Sequence, residues 1–227
     1  METVPTAPGA LTLDQVHAVM SELSNKRPVF HSEADFQHAF AQLLAEKFTG
    51  LDVRLEMPYR AIGSPAPNLR TVVDLYCREP AGEGVTAIEF KYRTREWHGN
   101  VPGEKFRLLD HSATDLGRRD FVHDIERLER WSQDAGGTAF AILLTNDDAY
   151  WSAPNGRLPT NDAAFRIHEG VTLFGELRWA KNLYPENAHT LTGHFVMAWK
   201  DYSDLSVYEE ARSKGNQLRY VVAAVER

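Results

Sequence analysis

The hydrophobic positions of this chain recur with two different periods, and each period predicts a kind of element. Apolar residues three or four positions apart predict helices over 12–23, 33–48 and 114–131. Thr12 and Ser32 can cap the first two helices, and Gly50 follows the end of the second. Alternating or continuous apolar runs predict strands over 51–59, 71–78, 85–93 and 138–145.

The order of these elements predicts a mixed α/β fold. Residues 32–145 read helix, three strands, helix, strand, which favours an α-β-β-β-α-β core with a central mixed sheet flanked by helices. The three consecutive strands have short links and predict an antiparallel meander. The nearly continuous apolar run at 138–145 predicts a central strand that is covered on both faces.

The two ends of the chain predict simpler features. Residues 1–11 begin with a Pro- and Ala-rich stretch and predict a flexible tail, which leaves 12–227 as one domain. Within it, 146–227 forms a C-terminal extension of the core. Apolar segments at 194–200 and 218–226 predict extra strands that extend the sheet or form a small second sheet.

Three charged residues lie inside the predicted strands. Asp74 is flanked by apolar residues, and on the next strand Glu89 and Lys91 are two positions apart and share one face. If the two strands pair, Asp74 faces Glu89, and two facing carboxylates require a proton or a cation between them. Carboxylate oxygens without Cys or His nearby favour Mg²⁺ or Mn²⁺ over zinc.

A fourth charged residue, Glu33, lies in the first turn of the second predicted helix. It precedes Phe36, Phe40 and Leu44 by three, seven and eleven positions, so it projects from the edge of the apolar face. A first-turn acid that suits the helix dipole is the ordinary explanation. If this helix packs over the strands, Glu33 could join the other acids, and Lys91 could stabilise charge that develops in a reaction.

This arrangement resembles the PD-(D/E)xK nuclease superfamily. The matching residues are Asp74 in VVDLY, Glu89, Phe90 and Lys91 in AIEFKY, and Glu33 in HSEADFQ, although Val73 stands where the superfamily often has proline. The resemblance implies a restriction-endonuclease-like core and metal-dependent hydrolysis of phosphodiesters. It assigns catalysis to the four charged residues, and metal binding to Asp74, Glu89 and the Phe90 carbonyl, with Glu33 as an outer or second-metal ligand. The segments HSATDLGRRDFVHDIERLE and LLTNDDAYW are similar to those of uncharacterised bacterial proteins with this core.

The charge balance narrows the kind of nucleic-acid contact. The net charge is −7, which argues against a protein that coats nucleic acid nonspecifically. Between Lys91 and Arg119, however, seven Lys and Arg outnumber four acids. Surface arginines are usually only solvated, but we expect phosphate contacts from the arginines at four positions, Arg93, Arg95, Arg118 and Arg119.

Two further features concern location. The start of the chain lacks the pattern of a signal peptide, and the longest apolar run, at 139–144, is too short to span a bilayer. Cys77 is the single cysteine, which excludes an internal disulfide and predicts a small core residue. A cytoplasmic protein is the expectation.

Three interpretations of the charged cluster remain. The first is a nuclease with DNA as the expected substrate, for which a homodimer would suit two-strand cleavage. The second is a catalytically inactive nuclease-like module that binds or regulates, which the net acidity favours. The third is a glycoside hydrolase that uses Asp74 and Glu89, but it leaves Lys91 without a task. If the cluster is merely structural, its members form surface ion pairs on an exposed sheet face, and Asp120 and Asp124 form a solvated or salt-bridged helix face with Arg127.

Overall fold

Three α-helices form where the sequence has helical spacing of apolar residues. The computed structural model describes residues 9–59, 72–80, 82, 84–154, 156, 160–210 and 214–226. Its helices are α1 (Leu13–Lys26), α2 (Glu33–Lys47) and α3 (Thr114–Ala135). Thr12 and Gln15 form a complete capping box at α1, and the Ser32 side chain accepts a hydrogen bond from the Asp35 amide at α2. Gly136 ends α3 in the left-handed conformation, with φ of 76°.

The strands of the described residues form one large sheet and two hairpins. In chain order they are β1 (Asp52–Pro58), β2 (Val72–Arg78), β3 (Val85–Arg93), β4 (Trp97–Val101), β5 (Glu104–Leu108), β6 (Thr138–Thr145), β7 (Thr172–Leu177), β8 (His189–Val196), β9 (Lys200–Asp204) and β10 (Gln217–Val225). The six-stranded sheet has the order β1-β2-β3-β6-β10-β9. Only β3 and β6 pair in parallel among the described strands, so the sheet is mixed.

The large sheet is covered on both faces. Helices α1 and α2 pack on one face, where Phe36 and Phe40 meet Phe90 of β3. Helix α3 and the β7–β8 hairpin cover the other face, around Phe121, Ile125 and other apolar side chains. Residues 139–144 of β6 are fully buried, as their continuous apolar sequence predicted. None of the described helices is long and apolar enough to cross a membrane.

The mixed α/β prediction is confirmed. The expected core order is present as α2-β1-β2-β3-α3-β6, and β1, β2 and β3 form the antiparallel meander. At the C-terminus, the strand predicted at 218–226 is present as β10, and with β9 it extends the large sheet, while β7 and β8 form a small one. The prediction of a strand at 194–200 is wrong, because this segment contains the end of β8, three residues outside any strand and the first residue of β9. The segment 94–111, which sequence analysis left irregular, contains the β4–β5 hairpin between β3 and α3.

The flexible-tail prediction does not hold for residues 9–11. Leu11 is 1% exposed. Its amide donates a hydrogen bond to Thr86 Oγ1, and its carbonyl accepts one from Thr138 Oγ1. These bonds fix the end of the predicted tail on β3 and β6. Residues 1–8 of the predicted tail, and residues 60–71 between β1 and β2, lie outside the described residues.

Candidate active site

One edge of β3 brings two distant carboxylates together. The ladder between β2 and β3 ends where Leu75 pairs with Ile88. Beyond that point, Asp74 Oδ2 accepts a hydrogen bond of 2.7 Å from the Phe90 amide, and Glu33 Oε2 accepts one of 2.8 Å from the Tyr92 amide. These two amides are two residues apart on one strand, or roughly 6.5 to 7 Å. Acids from α2 and β2 therefore meet beside β3.

The other two predicted residues lie on the sheet face that α3 covers. Glu89 is 3% exposed, and its Oε1 lies 3.0 Å from an Arg127 guanidinium nitrogen. The Lys91 side chain is 17% exposed, and its Nζ lies 2.7 Å from Asp124 Oδ2. The alternative of an exposed sheet face with surface ion pairs is therefore wrong, because α3 buries this face.

Burial dominates the electrostatics of Glu89. Desolvation, with the neighbouring carboxylates of Asp74 and Asp124, raises the pKa of Glu89 to about 9, and Arg127 and Lys91 offset only part of this. The Glu89 carboxyl therefore holds a proton at neutral pH in the absence of a further cation. Extending the β2–β3 register by one residue beyond Leu75 and Ile88 places Asp74 opposite Glu89, as the predicted pairing of their strands requires.

For Lys91, in contrast to Glu89, the effect of the ionic partner on the pKa outweighs the effect of burial. Burial lowers the pKa of Lys91, but the Asp124 carboxylate outweighs it, with Glu33 and Asp74 adding to the effect, and the pKa is raised overall. Lys91 therefore keeps its positive charge. Burial raises the pKa of Asp124, and Lys91 and Arg127 offset this only in part.

Glu33 belongs to the same electrostatic group. Burial raises its pKa, while the Lys91 ammonium and the Tyr92 amide lower it, and Asp74 raises it further. Asp74 and Lys91 thus each influence both Glu33 and Glu89, although the four residues come from three separate elements. The structure brings all four predicted residues together.

A cleft of about 550 Å³ opens beside this group. Glu33, Lys91 and Asp124 line it, together with Arg93 at the end of β3 and Arg107 of β5. The cleft therefore gives a ligand access to the lysine and to two of the carboxylates. Its volume lies within the range of small-molecule sites.

The donor atoms near Asp74 suit a hard divalent cation. Backbone N–H and C=O groups of one strand residue point to the same edge, so the Phe90 carbonyl faces Asp74, as its amide does. Glu89 Oε1 and Asp124 Oδ2 are buried, and their close partners are the cationic side chains of Arg127 and Lys91. Two carboxylates and a carbonyl are the hard oxygens that Mg²⁺ and Mn²⁺ prefer, and a cation would compensate the buried acids. These residues supply the ligand types that the implied cation requires.

These donors do not form a finished cage. Among the described residues, no group of three or more His, Cys, Asp or Glu is placed so that it could hold a metal ion. Asp74 and Glu33 bond to amides, and Glu89 faces Arg127. Binding of a cation would therefore require the Glu89 side chain to lose its proton and reorient.

The four arginines predicted to contact phosphates are all paired with acids. Arg118 is a correction: it is 3% exposed, lies inside α3, and makes a buried ion pair of 2.6 Å with Asp162. It cannot reach a phosphate without breaking that pair. The other three remain partly exposed, and their ion pairs are Arg93 with Asp120, Arg95 with Asp147 and Asp148, and Arg119 with Asp120.

Sequence analysis missed the two α3 residues that complete the site. It placed Asp124 on a solvated or salt-bridged face with Arg127; the two do lie 3.4 Å apart, but Asp124 is buried. A signal was available, since Asp124 follows Phe121 by three positions and precedes Leu128 by four, which places it on the apolar side of the helix. An acid on that side requires a partner, and here the partner is Lys91.

Comparison of the chain with protein-family models, with curated proteins and with solved structures gave no match. The resemblance to PD-(D/E)xK nucleases therefore stays a prediction from sequence. The geometry of Glu33, Asp74, Glu89 and Lys91 is the basis for assigning a function.

Proposed function

We propose that this chain is a divalent-metal-dependent nuclease of the PD-(D/E)xK type that hydrolyses phosphodiester bonds, with DNA as the expected substrate. One observation carries the proposal: two carboxylates seated on neighbouring amides of the β3 edge, beside a buried glutamate and a charged lysine of the same strand. A cytoplasmic location and a homodimer that cuts both strands are part of the same proposal.

The acids divide into ligands and a supporting group. Asp74, Glu89 and the Phe90 carbonyl would hold Mg²⁺ or Mn²⁺, and Glu33 would act from the outer shell or at a second ion. When bound, such an ion neutralises charge on the scissile phosphate and lowers the pKa of a water molecule. Glu89 would have to lose its proton to act as a ligand, which would couple metal binding to deprotonation.

Lys91 supplies positive charge where negative charge develops. Its pKa is raised overall, so it stays protonated at neutral pH, and it lines the cleft that a phosphate can enter. Asp124 holds the Lys91 ammonium at 2.7 Å. Asp124 is therefore a positioning residue, which keeps a flexible side chain in one place before the substrate arrives.

A catalytically inactive binding or regulatory module is the second candidate. It is favoured by the contacts that already occupy the charged groups, namely Glu89 with Arg127 and Lys91 with Asp124. In such a module these pairs would be permanent, and the cleft would bind without cleaving. The two candidates differ in whether the site takes up a divalent cation.

Calorimetry with Mn²⁺ and a cleavage assay separate these candidates. We expect the wild-type protein to bind Mn²⁺ and to cleave plasmid or labelled oligonucleotides when Mg²⁺ or Mn²⁺ is present. Asp74→Asn and Glu89→Gln should abolish both binding and cleavage. Lys91→Met should still bind Mn²⁺ but should cleave about 10²- to 10³-fold more slowly, as expected for loss of one group that stabilises the transition state.

Asp120→Asn is the matched control. Asp120 lines the same cleft and pairs with Arg93, but it lies outside the proposed ligand set. This variant removes one negative charge, as Asp74→Asn does, and should keep metal binding and cleavage. Cleavage that survives in both the Glu89 and the Lys91 variants would refute the nuclease assignment, and wild-type protein that takes up no Mn²⁺ would favour the second candidate.

A further inference from the structure

The excess of positive charge between Lys91 and Arg119 has a definite location. Five of the seven basic residues are compensated by acids, through the pairs Lys91 with Asp124, Arg93 with Asp120, Arg95 with Asp147 and Asp148, Arg118 with Asp162, and Arg119 with Asp120. The two that remain are Lys105 and Arg107. Neither forms an ion pair with any described residue, and both are exposed on β5.

The β4–β5 hairpin has one buried face and one charged face. Phe106 and Leu108 are buried and belong to the core, so the alternate residues Lys105 and Arg107 point outward on the same side. Across the hairpin, Arg107 pairs with His98 in the strand register. Of the nearby acids, Glu104 already lies 2.8 Å from His31, and Glu96 lies 3.5 Å from His98. The two cations therefore stay available for an anionic ligand.

This charged face continues into the cleft. Arg107 and Leu109 both line the cleft that contains Lys91. Leu109 is 65% exposed, but its backbone is anchored, because its carbonyl accepts a hydrogen bond of 2.7 Å from Thr94 Oγ1. Two residues later, the His111 amide donates to the Thr94 carbonyl at 2.7 Å. An exposed leucine on a fixed backbone beside two free cations suits a ligand with charged and apolar parts.

We propose that the outer face of this hairpin, with Lys105 and Arg107, binds the phosphate backbone of a nucleic-acid strand and directs the strand into the cleft. Leu109 contacts a base or sugar at the entrance. The inference rests on the proposed nuclease function, and it deepens it by assigning the surface that receives the substrate. Nucleic acid provides both components that this surface requires, a line of phosphates and apolar base faces.

The test is binding without cleavage. Anisotropy of labelled 20-nucleotide single-stranded and duplex DNA is measured over a range of salt in the Asp74→Asn background, with Ca²⁺ in place of Mg²⁺. The double variant Lys105→Gln/Arg107→Gln should weaken binding about tenfold or more, because loss of one charged hydrogen bond already costs about that. The slope of log affinity against log salt should fall by about 1.4 for the single strand or about 1.8 for the duplex.

A matched control removes the same two charges elsewhere. Lys26 and Lys47 lie in the last turns of α1 and α2, and Lys47 is roughly 21 Å along α2 from Glu33. Lys26→Gln/Lys47→Gln should leave affinity and salt slope close to those of the parent. Leu109→Ser should weaken binding without changing the salt slope.

The outcomes distinguish this inference from the proposed function. Hairpin and control variants with equal affinity and equal salt slope would overturn the role of the hairpin. If the hairpin variant, made in the wild-type background, also cleaves as fast as the wild type, the nuclease proposal stands and only the role of the hairpin is lost. If the parent binds neither DNA probe, the role of the hairpin is overturned, and wild-type cleavage then decides the proposed function separately.

Discussion

Helix α3 places buried charge in two regions, and the two regions differ in how well that charge is satisfied. Near its N-terminus, Arg118 pairs with Asp162, and both side chains are 3% exposed. Two turns later, Asp124 and Arg127 face Lys91 and Glu89 on β3. Both regions contain buried cations and carboxylates, so composition alone does not separate them.

The first region is fully satisfied. Asp162 Oδ2 accepts a hydrogen bond of 2.7 Å from Arg118 Nε and lies 2.6 Å from a second guanidinium nitrogen, and Oδ1 accepts a hydrogen bond from Thr160. Burial raises the pKa of Asp162, but the bonds from Thr160 and Arg118 outweigh it, so the pKa is lowered overall. The carboxylate is held charged, as expected of a pair that serves the fold.

The second region is less well satisfied. Its ion pairs join Glu89 Oε1 to Arg127 at 3.0 Å and Asp124 Oδ2 to Lys91 at 2.7 Å. These pairs do not offset burial, which raises the pKa of both acids overall. Perturbed acids beside a cleft are typical of functional sites. The comparison teaches that the state of satisfaction, more than burial itself, separates a structural pair from a candidate site.

The largest expected effect comes from breaking the satisfied pair. Asp162→Ala leaves the buried Arg118 guanidinium without its partner and should lower the free energy of unfolding by about 3 to 5 kcal/mol, measured by urea denaturation. Asp201→Ala is the control, because Asp201 is 76% exposed and its pair with Arg219 should be worth about 1 kcal/mol or less. Equal losses in the two variants would contradict a structural role for the Arg118 pair.

A smaller effect on stability is expected in the region of Glu89 and Asp124. Because the Glu89 carboxyl holds a proton at neutral pH, Glu89→Gln replaces it with a side chain of similar size and charge. The free energy of unfolding at pH 7 should change by less than about 1 kcal/mol, while cleavage is lost. A loss comparable to that of Asp162→Ala would mean that Glu89 is a structural partner of Arg127.

The smallest effect is a change in pH dependence. Desolvation, with His189 and Arg127 nearby, lowers the pKa of His123 to about 4 from its ordinary 6.5, but His123 is exposed, so solvent screening keeps the contribution to stability small. Between these values the unfolded chain binds more protons than the folded one, so stability falls as pH falls through this range. His123→Gln should lose less stability between pH 6.5 and 4.5, and the other histidines cancel in the difference. Parallel curves for the two proteins would show that His123 does not contribute.

The hydrophobic pattern predicted most of the fold because the large sheet is built from strands with strong apolar periods. Residues 85–93 and 138–145 have the predicted bounds. The β4–β5 hairpin was missed because its strands are short and its inward positions include Gly99 beside Trp97. Pairings between distant strands, such as β6 with β10, depend on tertiary packing that no local pattern encodes.

The residues of the candidate site also differ in how well the sequence predicted them. Asp74, Glu89 and Lys91 could be predicted because charges inside apolar strands stand out. Arg118 was misjudged because its partner, Asp162, lies 44 residues away in an irregular segment. Arginines that look alike in sequence therefore differ in role only once their partners are known.

The early end of the β2–β3 ladder has a consequence for choosing substitutions. Asp74 and Glu33 serve as acceptors for two main-chain donors of β3 that lie beyond the end of this ladder. Replacing either acid with alanine would remove a charge and also leave a backbone N–H of β3 without its acceptor. A loss of activity in such a variant would therefore not by itself indicate a catalytic role. Asparagine at position 74 and glutamine at position 33 retain the acceptor oxygen. These substitutions therefore test the charge alone and keep the hydrogen bond to the backbone.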